Sequence, residues 1–71
     1  MFHNRHMSKF KDNLRELRLS AHLSQNQLAK QLGVLERTVS YWENGKRECD
    51  FDTLILIARF FGVRVDDLLC E

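Results

Sequence analysis

Apolar residues recur at helical intervals along most of the chain. Phe10, Leu14, Leu17 and Ala21 are spaced by three or four and predict a first helix over 9–21. Ser24-Gln25-Asn26-Gln27 has the form of a capping box, so a second helix opens after Ser24. Leu28, Ala29 and Leu32 form its inward stripe, and Gly33 supplies the left-handed residue that ends it. A third helix follows over 36–44 and stops at Asn44-Gly45. Asp50 is a good N-cap for a fourth helix, which carries Phe51, Leu54, Ile55, Ala58 and Phe61 inward and ends at Gly62. A short fifth helix is expected over 66–70, opening on two acids. Residues 1–8 show no period and read as a flexible tail before one domain over 9–71. The His6-Met7 pair fits a natural start near Met7.

The stretch 25–44 is two short helices joined by a glycine turn, with a small residue, Ala29, where the pair must approach closely. Stepping by about 100° per residue along the third helix puts Val39, Trp42 and Leu35 toward the core. Arg37, Tyr41, Asn44 and Ser40 face outward, free of aliphatics. Such a face is either ordinary solvated surface or one that enters a DNA major groove, where arginine can bond guanine at two points. Glu43 falls on the core side, where a lone charge is costly. Arg18, near the end of the first helix, is the partner this reading selects.

Composition narrows the class. The chain has 71 residues, 44% hydrophobic and 30% charged, with no proline and three glycines. That is enough for one domain and too little for a large cleft with a separate cofactor domain. The longest apolar run, Leu54 to Ala58, cannot span a membrane, and the N-terminus lacks the apolar region of a secretory signal. Two cysteines, Cys49 and Cys70, without a C-x-x-C pair suit a reduced, cytoplasmic setting. The net charge of +1 hides an asymmetry: nine Lys/Arg against four Asp/Glu over residues 1–47, and two against six over 48–71. A basic half of this kind suits contact with a polyanion; ordinary scatter of surface charge would look similar. His3 and His6 lack a third metal ligand nearby. His22 with Ser20 or Ser24 lacks an orienting acid and an oxyanion site, so hydrolysis is not expected. The sequence calls for no metal, cofactor or small-molecule ligand.

These residues carry a family resemblance. Leu14-Arg15-Glu16-Leu17-Arg18, Leu23-Ser24-Gln25, Leu28-Ala29, Leu32-Gly33-Val34, Val39-Ser40, Trp42 through Arg47, Leu54, Ile57-Ala58, and Gly62-Val63 to Leu68-Leu69 resemble the phage-repressor helix-turn-helix family, which includes lambda-type repressors, Cro proteins and XRE-like regulators. The likeness covers about residues 9–70. It implies an all-α, compact five-helix lambda-repressor-like domain that binds double-stranded DNA, usually as a homodimer on a near-palindromic operator, most simply as a repressor. By position it implies base reading by Glu36, Arg37 and Tyr41, with Ser40 and Thr38 beside them. It implies phosphate contacts from Gln25, Asn44, Lys46 and Arg47, with Thr38 joining them at the helix edge. The Arg18–Glu43 pair is also a family feature.

Three positions depart from the family pattern. Leu35 stands where a Ser or Thr cap is usual, at a cost of about 1 kcal/mol unless it packs inward as its angle suggests. Cys49 replaces a proline before the fourth helix. Glu36 puts an acid near phosphates, either to accept from cytosine N4 or to pair with a neighbouring cation. Leu56, Phe60, Leu69 and Cys70 are expected to form an apolar patch, serving as a dimer contact or filling a monomer core. A rival to the DNA-binding reading keeps the same scaffold for a protein partner, in an antitoxin-like or co-regulator role. That version should expose apolar residues on the third helix, whereas Arg37, Lys46, Arg47 and Gln25 favour DNA.

Overall fold

Helix α1 (Arg5–Ser20) sends Phe10 and Leu14 inward, where both are essentially fully buried. The structure, a computed structural model, describes residues 5–70, with side chains from residue 9 onward. Helix α2 (Gln25–Leu32) and helix α3 (Glu36–Glu43) follow, then α4 (Phe51–Phe61) and α5 (Val65–Leu69). No strand occurs among the described residues. Helix α1 packs on α3 and α5, α2 packs on α3 and α4, and α4 packs on α5. Leu28, Val39, Ile57 and Leu68 meet Phe10 and Leu14 in the shared core. Burying side chains of this size contributes roughly 1.5–3 kcal/mol each. The Phe10 and Trp42 rings meet edge to face, with centroids 6.4 Å apart.

Local chemistry sets the helix ends. Ser24 Oγ accepts from the Gln27 N–H at 3.0 Å, and Gln27 Oε1 accepts from the Ser24 N–H at 2.8 Å. Asp50 Oδ1 accepts from the Thr53 N–H at 3.1 Å, and hydrogen bonding from the Thr53 side chain, then from this N–H, holds the Asp50 carboxyl below its ordinary value. Gly33 adopts φ 75° and ψ 30° after α2. A residue bearing Cβ is strained there, and the turn it makes sets α3 against α2.

Several expectations are corrected. Helix α1 begins at Arg5 rather than at residue 9, so residues 5–8 of the expected tail are helical, while residues 1–4 lie outside the described residues. It ends at Ser20, and Ala21 is exposed in the turn that follows. Within that turn His22 takes φ 60°, a left-handed conformation with no glycine to announce it. Helix α5 spans Val65–Leu69 rather than 66–70, with the N–H of the preceding residue, Arg64, donated to Asp67 Oδ2 at 3.0 Å. Phe51 is 67% exposed instead of buried, because it opens α4 before the helix reaches the core.

The ends of the fold are tied by a side chain that periodicity does not flag. Asn13 Nδ2 on α1 donates to the Leu68 carbonyl at 3.0 Å and to the Cys70 carbonyl at 2.8 Å. The Leu68 carbonyl lies in the last turn of α5 and the Cys70 carbonyl just past its end, where no intrahelical donor remains.

Candidate nucleic-acid interface

The pose of α3 rests on Glu43. Its residue is 2% exposed, and its carboxylate is fully enclosed. Arg18 Nε donates to Oε2 at 2.7 Å and Arg18 Nη2 to Oε1 at 3.0 Å, a two-point pair. Arg18 Nη1 also donates to the Leu23 carbonyl at 2.8 Å, fixing the turn before α2. Gln25 Nε2 donates to Glu43 Oε1 at 3.2 Å, and Arg15 adds a longer contact at 3.5 Å and a bond to the Glu43 carbonyl at 3.2 Å. Burial pushes the Glu43 carboxyl up, but the bonds from Arg18, then Gln25 and Arg15, outweigh it and hold it below its ordinary value. The hydrogen bond to Glu43 raises the Arg18 value in turn, against the effect of burial. One carboxylate thus fastens α1, α2 and α3 together. The sequence pointed to Arg18; Arg15 and Gln25 carry no signal until the helices are assembled.

With Val39, Trp42 and Glu43 buried, the opposite side of α3 is fixed. Glu36 and Arg37 are exposed, and Thr38, Ser40 and Tyr41 are half-buried. Among the described residues Glu36 pairs with no cation, and its Oε1 accepts from Asn26 Nδ2 on α2 at 3.2 Å. Asn26 was not singled out from sequence, since its role needs α2 and α3 side by side. Asn44 Nδ2 donates to Ser40 Oγ at 3.2 Å, one turn back. The Arg47 guanidinium lies over the Tyr41 ring, 5.6 Å from its centroid, a cation–π distance.

The loop after α3 is also held. Gly45 takes φ 74°, and a Cβ there would come within 3.0 Å of the Lys11 side chain. The Lys46 and Arg47 N–H groups both reach back to the Tyr41 carbonyl, at 2.9 and 3.3 Å. Exposed Asn44, Lys46 and Arg47 therefore follow directly from the exposed side of α3.

Leu35 corrects another expectation. It caps α3 with extended backbone angles, φ −80° and ψ 150°, makes no side-chain cap bond, and is 60% exposed instead of packing inward. The helical angular step does not apply to a residue outside the helix. Leu56 and Phe60 on α4 are 46% and 39% exposed, with Phe60 edge-on to Phe61 at 5.0 Å. Leu69 is half-buried against the core and Cys70 is exposed, so the expected patch is strongest on α4. Burial pushes the Cys49 thiol up to about 11, leaving it a poor nucleophile. Among the described residues no cluster could hold a metal ion and no helix is long and apolar enough to cross a membrane. His3 and the side chain of His6 lie outside the described residues.

Two short helices set by a glycine turn, inside an all-α five-helix frame, define a helix-turn-helix domain. The chain belongs to the helix-turn-helix family of phage-repressor and XRE-like type, whose pattern matches residues 14–68. It is 41% identical over 61 residues to the HTH-type transcriptional activator BcrR of Enterococcus faecalis, covering 86% of this chain and 30% of BcrR. It is 38% identical over 58 residues to an uncharacterized HTH-type transcriptional regulator of Methanocaldococcus jannaschii, covering 82% of this chain and 88% of that protein. The cryptic phage CTXphi transcriptional repressor RstR of Vibrio cholerae is 29% identical over 62 residues, covering 87% of this chain and 56% of RstR. The crystal structure of a transcriptional regulator from Listeria innocua matches with a TM-score of 0.79 at 35% identity, over 84% of this chain and 56% of that one.

Proposed function

We propose that this chain binds double-stranded DNA sequence-specifically and regulates transcription, most simply as a repressor that occludes a near-palindromic operator as a homodimer. The observation that carries the reading is the side of α3 opposite Val39, Trp42 and Glu43, where exposed Arg37 and Glu36 adjoin Tyr41 and a basic loop. Helix α3 enters the major groove, as the second helix of such units does. Arg37 reads guanine, Glu36 accepts from a cytosine amino group, and Tyr41 and Ser40 complete the base-reading set. Asn26 steadies Glu36 for that purpose. Gln25, Thr38, Asn44, Lys46 and Arg47 contact phosphates. Gln25 keeps a second amide N–H for that contact beside the one given to Glu43. Leu56 and Phe60, with Leu69 and Cys70 beside them, supply the dimer contact. No catalysis is required, and a reduced cytoplasmic setting suits the free thiols.

Selection from a random duplex library at about 0.15 M salt tests this directly. An enriched palindrome with half-sites about 10 bp apart is the expected result. No enrichment would overturn the reading in favour of a scaffold that works through a protein partner.

A further inference from the structure

We propose that Leu35 is a specificity-determining residue that packs against the 5-methyl group of a thymine at the edge of each half-site. The inference rests on the DNA-binding reading above and adds a contact to it. Leu35 immediately precedes Glu36 and Arg37, at the leading end of α3. In a helix-turn-helix unit this N-terminal end of the second helix reaches base edges. Every other side chain of that end is polar: Glu36, Arg37 and Thr38.

Leu35 is out of place by side-chain chemistry and by burial, though not by backbone conformation. At an N-cap, Ser, Thr, Asp or Asn would accept an N–H from the first turn of the helix. Here the Thr38 N–H bonds only to the Leu35 backbone carbonyl, at 2.9 Å, and the side chain offers no acceptor. A leucine at this position would be explained by packing, but it is 60% exposed and contributes nothing to the buried core. The position therefore forgoes a cap and keeps an aliphatic group in water. In the major groove the one apolar feature on any base edge is the thymine methyl, and aliphatic contact is how it is recognised. The nearby charges argue against a protein partner for this leucine, since Glu36 and Arg37 follow it directly.

The test uses synthetic duplexes of the selected sequence in which each thymine is replaced in turn by uracil, which removes only the methyl group. With the unaltered protein, one position per half-site should weaken binding about fourfold, the value of one buried methyl-sized group. Leu35→Ser should bind the thymine and uracil duplexes equally. Leu35→Ser restores a capping hydroxyl, so its thermal midpoint should match or exceed that of the parent, which separates lost readout from lost folding. If no thymine responds in the unaltered protein, or the responding position responds equally in Leu35→Ser, the assignment is overturned. A parent that selects a sequence yet ignores methyl removal sinks this inference alone. A parent that selects no sequence removes the DNA-binding reading and this contact with it.

Discussion

At the scale of single residues, Glu43 holds the largest share of consequence. Its folded value lies below that of the free carboxyl. Ionised Glu43 therefore adds stability that is fully present above the unfolded value and is lost as pH falls through the depressed folded value. Urea unfolding should show stability falling on the acid side, and Glu43→Gln should flatten that limb. The same substitution should cost about 3–5 kcal/mol near neutral pH, since Arg18 would keep its charge beside a neutral amide. His22 offers the opposite case. Left-handed geometry costs a residue with Cβ roughly 1–2 kcal/mol, and glycine carries its own entropic penalty. His22→Gly should therefore gain about 0.5–1 kcal/mol, read as a higher urea midpoint at unchanged slope. On the DNA side, Arg37→Ala should cost about 1–3 kcal/mol on the selected site and relax one base position. Lys46→Ala should weaken all duplexes alike and lower the salt slope by about one. A salt titration on selected and scrambled duplexes separates the two.

At the scale of elements, α5 is the informative one. Five residues are far too few for a helix to persist alone, yet Leu68 is fully buried and Asn13 holds its carbonyl and that of Cys70 just past the helix end. Asn13→Ala should raise amide exchange in α5 well before it affects α2 or α3, as followed by exchange-resolved NMR. What was legible in the sequence follows the same division between local and assembled. Ser24, Asp50, Gly33 and Gly62 mark their helix ends because capping involves only neighbours in the chain. Arg18 and Glu43 could be paired because a charge on the core side demands a partner. Asn13, Arg15 and Asn26 act across helices, and nothing in their own spacing says so. The helical period turns Leu35 and Phe51 inward, but it holds only within a helix and only along the part that meets the core. The polar outward side of α3 is readable from polarity and angle; the Asn26 bond to Glu36 is not.

At the scale of the whole molecule, the exposed apolar groups lie on more than one element. Leu35 stands at the start of α3, while Leu56 and Phe60 lie on α4. Under the proposed function they serve different partners, a base edge and a second copy. Leu56→Glu should leave the fold intact, because the side chain is already 46% exposed. It should shift the mass measured by light scattering from dimer to monomer and reduce binding to a full operator more than to a single half-site. An unchanged mass for a dimeric parent would remove α4 from the interface. The Asn13 bonds bear on a different property, the way load passes through the domain. A tether attached beyond Cys70 would pull on a carbonyl that α1 itself grips. Tension would be carried into the longest helix instead of peeling α5 away turn by turn. The exit point is in effect a cleat, and severing it with Asn13→Ala should lower the force at which α5 detaches.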